Sequence, residues 1–581
     1  MIKKADISNF ITKCRNFKYS NVLLFAIFAT TVHWQNCLFF TLLNPELLNN
    51  PFFHTIKIAI AIFIASLIFV FKNKSWIIVI SVFINLWGMS NLIYSRANGI
   101  LIDAHSIFMI NNMNGFWKSV PFYIEWSDFV CFIATFVVGI SCFVFSNARK
   151  SYMFGVLAFG VSIVFHVYSA EKRLKRNNPD HKLLSDIEYY NPFSLKKNMW
   201  IVNWDRASYS VELSILHHFV YQLNRCLSNV FTLDNINFSN KENSDIQEFM
   251  IYEGGKIEIK PRTPLIIILV ESLENWVVIP EVMPNLCRFI DEQNNILYAS
   301  RITSQTRGGT SADGQMIVNT GLLPLEEGAA CYRFPHHRYP SLSELYGLSC
   351  NIIPGSQSVW NQALMNQAYC IKDSYTVSSS NSLNGDDALI FKQYLDIYEL
   401  YDYSMVLTIS THSPFITTVH KSSLILPDNM PRDMANYMKS FNYTDSCLNS
   451  VLSLVATDSL LRNATVVVTS DHSIFPRNKR EEYYSYCQEN GLCYAINESY
   501  CPLIIYSPNI KQKRVVRDVV YQMDIYPTIL SLVGGQNYFW RGFGVNLLED
   551  GAIDNRPIDS NKAYKLSDKI IRSDYFATQG Y

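Results

Sequence analysis

Pro264-Leu-Ile-Ile-Ile-Leu-Val-Glu271 decides how this chain is read: six consecutive apolar residues, Leu265 to Val270, closed by a proline and a carboxylate. A run this short and unbroken reads as a buried strand of a parallel sheet. In open α/β sheets, ligands collect beyond the carboxyl ends of such strands, so Glu271 stands where a site is expected. Two later runs repeat the arrangement. Met405-Val-Leu-Thr-Ile-Ser-Thr411 leads to His412, and Thr465-Val-Val-Val-Thr-Ser470 leads to Asp471-His472. Three strands thus bring a metal-capable or proton-transfer side chain to what reads as one rim. From 261 to the end, strand-like runs alternate with helical stretches, the pattern of an α/β sheet with crossover helices.

Upstream the chain changes character. Its 581 residues exceed the needs of one core, and the apolar load is concentrated in the first third. Lys and Arg balance Asp and Glu at 49 each, which removes any electrostatic case for nucleic acid. Five membrane spans are expected near 21–43, 52–71, 75–95, 125–146 and 151–170, each close to the ~20 residues a bilayer crossing needs. A signal peptide is disfavoured, because no small-residue cleavage site follows the first run and further spans do. Lys57 is expected to snorkel from the second span, and Trp76, Tyr123, Trp126 and Tyr152 to anchor span ends. Basic residues at 3, 4, 13, 15, 18, 72, 74, 149 and 150 place the N-terminus in the cytoplasm and everything after span five outside. Lys172, Arg173, Lys175 and Arg176 run against that trend, as long translocated domains tolerate. The expected organisation is a five-helix transmembrane domain over 1–170, a juxtamembrane linker over 171–260 with an amphipathic helix at 211–223, and a catalytic domain over 261–581. The thirteen cysteines show no zinc spacing; Cys487 with Cys493 is the best local disulfide candidate.

Chemistry gathers at a few stretches. In Thr306-Arg-Gly-Gly-Thr-Ser-Ala-Asp-Gly-Gln315, two glycines let backbone approach a ligand and the following residues open a helix. A hydroxyl at that helix start, Thr310, sits where the dipole favours a phosphate, although an ordinary N-cap threonine has the same appearance. Asp471-His472 at a strand end, joined by Glu271, suits a hard or borderline divalent ion. Glu274 reads as a solvated helix-start acid. His412, in Ser410-Thr-His-Ser-Pro-Phe415, suits phosphate binding or protonation of a leaving oxygen, with a core histidine as the alternative. Trp360 fits a pocket wall or plain core, Arg307 a phosphate clamp or a surface charge, and His336-His337-Arg338 a polar loop.

The Val-Glu-Ser context of Glu271, the GGTSADGQ stretch, THSPF, TSDHS and Gln522-Met-Asp-Ile-Tyr-Pro-Thr-Ile-Leu530 occur in that order. Together they resemble the sulfatase-like branch of the alkaline phosphatase superfamily, in particular membrane phosphoglycerol transferases of the lipoteichoic acid synthase type, with phosphoethanolamine transferases as near relatives. The resemblance implies an α/β alkaline phosphatase/sulfatase-like domain with a mostly parallel sheet, carried by the five spans. It implies Thr310 as nucleophile and metal ligand, with Glu271, Asp471 and His472 as the other ligands of one divalent ion, Mn or Zn, or else Mg. His412 and Trp360 would line the head-group pocket beside Arg307. Two departures stand out: Gln362 occupies the place of an arginine in the synthases, and the Pro354-Gly355 region that of a histidine. The aryl-sulfatase Cys/Ser-x-Pro-x-Arg signature is absent, which argues against sulfate ester hydrolysis.

The activity so implied moves a phospholipid head-group phosphate, phosphoglycerol, through a phosphothreonine to an envelope glycan or lipid. Phosphoethanolamine transfer to lipid A or a glycan is the alternative reading. The setting implied is a bacterial plasma membrane with the catalytic domain on its outer side. A membrane sensor that binds without turnover is the competing class; retention of all four presumptive ligands argues against it.

Overall fold

The computed structural model describes residues 20–43, 51–66, 75–98, 117–145, 155–162, 238–250 and, apart from 379–385, 497 and 536, residues 263–580, with isolated positions at 12–13, 101–103, 105–106, 164, 218–219, 222–223 and 236. The chain divides into two units, Met1–Ile102 with Tyr123–Val230, and Asp103–Phe122 with Phe231–Tyr581.

In the first unit, predominantly apolar runs without interior proline form α1 (Ser20–Leu43), α2 (Pro51–Ser66), α3 (Ser75–Asn98) and α4 (Phe132–Val144). Three stretches are long and apolar enough to cross a membrane: Ser20–Leu43, Ser75–Asn98 and Trp126–Val144. They coincide with the spans expected near 21–43, 75–95 and 125–146. The span expected at 52–71 is the shorter α2, and of 151–170 only 155–162 and 164 are described, as helix. Phe28 and Val32 of α1, Ile77 and Ile84 of α3, and Val138 and Cys142 of α4 build one core at helical spacing. Their other faces are apolar too: Trp76, Leu86, Phe136 and Phe143 are exposed. Helices apolar on both faces are suited to lipid, where backbone groups must be satisfied within the helix.

Polar side chains tie these helices together. Gln35 Nε2 donates to Asn85 Oδ1 at 2.6 Å and Ser81 Oγ at 3.2 Å, and Asn85 Nδ2 donates to Thr135 Oγ1 at 2.7 Å. Arg96 holds Asp128 through two bonds of 2.7 Å and reaches Glu125 at 2.8 Å. One expectation changes here. Lys57 does not snorkel; it is 5% exposed, because α2 packs along α1. Within the expected linker helix, His218 and Phe219 rest on Trp87 of α3 with ring centroids at 5.9 and 5.2 Å; residues 211–217 lie outside the described set.

The second unit is an α/β domain. Its strands are β1 (Leu265–Val270), β2 (Ile296–Thr303), β3 (Ser349–Pro354), β4 (Asp373–Val377), β5 (Tyr403–Leu407), β6 (Thr465–Ser470), β7 (Tyr500–Tyr506), β8 (Arg514–Val516) and β9 (Val520–Tyr521). They lie in the order β4-β3-β5-β1-β6-β7-β2-β8, with β9 beside β2. Pairing is parallel except where β7 meets β6 and β2. The mostly parallel sheet expected from the apolar runs is therefore present. Every residue of β1 and β6 is buried, so both faces of the sheet are covered there. β5 ends at Leu407, four residues short of the expected Thr411. Just beyond it, the Thr408 amide donates to the Leu269 carbonyl at 3.1 Å and the Thr408 hydroxyl accepts the Glu271 N–H at 3.0 Å.

Candidate active site

Register explains the convergence. In the parallel β1–β6 pair, Leu269 stands opposite Thr469 and Val270 opposite Ser470. The next residue on each strand is the acid, so Glu271 and Asp471 leave the sheet side by side, with neighbouring strands about 4.8 Å apart. Ligand atoms of Glu271, Asp471 and His472 all lie within 4.8 Å of one another, and all three side chains are buried. His472 Nε2 is 3.6 Å from Glu271 Oε1 and 3.6 Å from Asp471 Oδ2.

Neighbouring groups orient these side chains. Asp471 Oδ1 accepts the Ser272 and His472 amides, each at 2.8 Å, and Glu271 Oε1 accepts Ser272 Oγ at 2.6 Å. Behind the strand end, Gln522 Nε2 donates to the Asp471 carbonyl at 2.7 Å, while Gln522 Oε1 accepts the Gln305 amide. Burial, then the adjacent Glu271, raises the Asp471 carboxyl above its usual range. Burial opposes charge on His472, but Asp471 and Glu271 outweigh it and hold the imidazole above its ordinary value. Two carboxylates and an imidazole buried together, with like charges in contact, are a donor set that a divalent cation relieves. The residues fit such an ion.

Thr310 opens α5 (Thr310–Thr320) in a left-handed conformation, φ +38°, which a β-branched residue adopts only under constraint. The constraint is visible. Asp313 Oδ2 accepts the Arg307 and Gly309 amides at 2.9 Å each, closing the glycine turn from inside. Burial pushes Asp313 up to about 6. A Cβ added at Gly314 would lie 2.4 Å from the Asp471 carbonyl oxygen, so only glycine lets α5 approach the strand end this closely. Ser311, beside Thr310, donates to Glu271 Oε2 at 3.3 Å. The helix start and the three-residue cluster are thus in hydrogen-bond contact.

The remaining expected residues take different positions. His412 is half-buried, and its Nδ1 bonds the Ser413 carbonyl at 2.8 Å. Packing around the ring and then His472 lower its imidazole to about 4. Trp360, in a left-handed turn (φ +50°) after β3, lies beside Tyr332 with ring centroids 6.2 Å apart. Gln362 is turned inward: it is 5% exposed, donates to Gln315 Oε1 at 3.0 Å and accepts from Asn351 at 3.3 Å. Arg307 stacks its guanidinium on Tyr564 at 4.0 Å.

Two readings are corrected. Glu274 is not solvated but fully buried, paired with Arg480 at 2.5 Å and accepting the Trp276 indole N–H at 3.0 Å. Cys487 and Cys493 are free thiols: the first points into the core while the second is exposed. The His336-His337-Arg338 loop is tied down, with His337 Nδ1 on the Ile571 carbonyl at 2.7 Å and Arg338 paired with Glu344. Ser272, Ser311 and Gln522 fell inside quoted motifs, but their roles are set by distant partners and carry no local signal.

Buried acids thus stand at the carboxyl edge of an α/β domain, in a chain that also carries apolar membrane-length helices. Comparison with known proteins agrees. The lipoteichoic acid synthase N-terminal domain model matches residues 6–204, and the sulfatase model matches 345–535. The lipoteichoic acid synthase of Staphylococcus saprophyticus is 21% identical over 547 residues, covering 88% of this chain and 80% of its own length. Among solved structures, the lipoteichoic acid synthase LtaP of Listeria monocytogenes aligns with a TM-score of 0.46 at 15% identity, over 59% of this chain and 99% of its own. The lipooligosaccharide phosphoethanolamine transferase EptA of Neisseria meningitidis aligns with a TM-score of 0.49 at 10% identity, over 89% and 96%. These matches support a sulfatase-like phosphotransferase similar to the lipoteichoic acid synthases.

Proposed function

We propose that this enzyme moves the phosphoglycerol head group of a membrane phospholipid onto a hydroxyl of an envelope glycan or lipid, through a covalent intermediate on Thr310. The observation that carries the reading is the juxtaposition of Glu271, Asp471 and His472 with the start of α5. The lipoteichoic acid synthase named above, aligned over most of the chain, supports the same donor class.

In this reading Thr310 Oγ attacks the phosphodiester phosphorus, the bond to the diacylglycerol oxygen breaks, and diacylglycerol leaves with a proton. The acceptor hydroxyl then displaces Thr310 from the phosphorus, restoring the threonine. Glu271, Asp471, His472 and Thr310 would hold one divalent ion, manganese, zinc or magnesium, which when bound supplies Lewis-acid polarisation and favours a deprotonated hydroxyl. The dipole of α5, which starts at Thr310, favours the developing phosphoryl charge. His412, with Nδ1 donating to a carbonyl, presents Nε2 to the reacting oxygens, where it accepts or returns a proton. Trp360 and Arg307 flank the head group, and Gln362 shapes the floor beneath it. The second unit works on the outer side of the plasma membrane, where donor lipids are within reach.

The test supplies the purified full chain with head-group-labelled phosphatidylglycerol or phosphatidylethanolamine and follows the mass of the Thr310 peptide. A glycerol-phosphate adduct on Thr310, absent from Thr310→Ala, is expected. An ethanolamine-phosphate adduct instead reassigns the donor, and equal labelling of Thr310→Ala removes the covalent mechanism.

A further inference from the structure

Residues 103–122 precede α4 in the chain, yet they belong to the second unit. Their described residues are fastened at two places. At one end, Asp103 Oδ2 accepts the Gly328 amide at 2.8 Å, and His105 Nε2 lies 3.9 Å from Glu327 Oε2. Gly328 has φ +68°, and a Cβ there would lie 2.8 Å from His105 Cβ, so glycine is what admits the segment. The loop gripped this way continues to Cys331, whose carbonyl accepts Asn361 Nδ2 at 2.8 Å, and to Tyr332 beside Trp360. At the other end, Phe122 packs edge-on against Phe415 at 5.5 Å, and Ser119 Oγ donates to the Ser413 carbonyl at 2.6 Å.

That carbonyl is the one His412 Nδ1 bonds. A carbonyl oxygen has two lone pairs, and here one takes the imidazole N–H and the other the serine hydroxyl. Because the carbonyl only accepts, Nδ1 carries the proton, which in a neutral imidazole leaves Nε2 as the acceptor nitrogen. A residue that fixes the carbonyl therefore fixes both the tautomer and the direction of the ring.

We infer that Ser119 is a positioning residue for His412: a segment numbered within the membrane half of the chain, docked on the catalytic domain, sets the orientation of a candidate catalytic imidazole. The inference rests on the transferase reading given above. Ser119 holds the Ser413 carbonyl, the carbonyl holds Nδ1, and the ring presents Nε2 with its lone pair toward the reacting oxygen. Asp103 and His105 fasten the same segment at the loop that carries Tyr332.

The experiment measures diacylglycerol release by the full chain in mixed micelles, from phosphatidylglycerol and separately from phosphatidylethanolamine, for wild type, Ser119→Ala, Ser119→Thr and Ser119→Val. Thermal unfolding and bound-metal content are recorded for each. Loss of the hydroxyl is expected to lower kcat on the order of tenfold with little change in KM, at unchanged metal content. Ser119→Thr, which keeps the donor, recovers kcat relative to Ser119→Val, which has the same shape without it. Wild-type kinetics in both Ser119→Ala and Ser119→Val overturn the inference. So does equal impairment of the Thr and Val variants, which would mark a packing role. Wild-type protein that releases diacylglycerol from neither donor overturns the transferase reading, and this inference with it.

Discussion

At the scale of single residues, Asp313 shows how a buried acid holds a strained threonine in place. Both amides it accepts fall on one oxygen, Oδ2, so an asparagine carbonyl can replace it without stranding either donor. Burial raises the carboxyl to about 6, so the folded protein binds that proton more tightly than the unfolded chain does. The stability this contributes is complete below the unfolded value of about 4 and is lost as pH rises through 6. On metal-free protein, Asp313→Asn is therefore expected to remove that decline between pH 4 and 6 and to keep turnover within several-fold of wild type. Asp313→Ala, which strands the Arg307 and Gly309 amides, is expected to cost about 2 kcal/mol and most of the activity. Denaturant titrations across that pH range, with turnover at pH 7, check both.

Among elements, the contact between α5 and the end of β6 has no slack. Gly314→Ala places a methyl 2.4 Å from the Asp471 carbonyl oxygen, and backbone cannot yield as a flexible side chain would. The helix must move outward, carrying Thr310 away from the acids. Displacements near 1 Å can cost about 100-fold in rate, so turnover is expected to fall by that order while the domain stays folded. Rate measurement beside a melting curve separates the two effects. The same scale shows what was readable from residue order. The bounds of β1 and β6 were legible because apolar runs and their closing acids are local signals. The end of β5 was not, since nothing within the run Met405 to Thr411 marks Leu407 as its last strand residue. Glu274 was misread for the same reason: its partner Arg480 lies in another helix (Arg477–Glu489), with no nearby cue.

For the whole molecule, hydropathy separated the membrane half from the catalytic half, because lipid and water impose opposite surface compositions. It gave no sign that residues 103–122 would join the second unit, since docking is decided by a few bonds to residues more than two hundred positions away. Sidedness is open to a direct test. Cys370 and Cys493 are exposed free thiols of the second unit. A membrane-impermeant maleimide added to intact spheroplasts is expected to label them, with the signal lost in the double serine variant. Labelling only after lysis would put the domain on the cytoplasmic side.

The β1–β6 register has a consequence for how such a protein can change. Glu271 and Asp471 are neighbours because two ladder rungs align, whatever length of chain separates them. Loops between the strands are free to lengthen, shorten or acquire whole helices without disturbing the pair. A slip of one residue in either strand would swing its acid to the opposite face of the sheet and dismantle the cluster in a single step. Insertions inside those two strands are therefore the changes that natural variation should avoid most strictly.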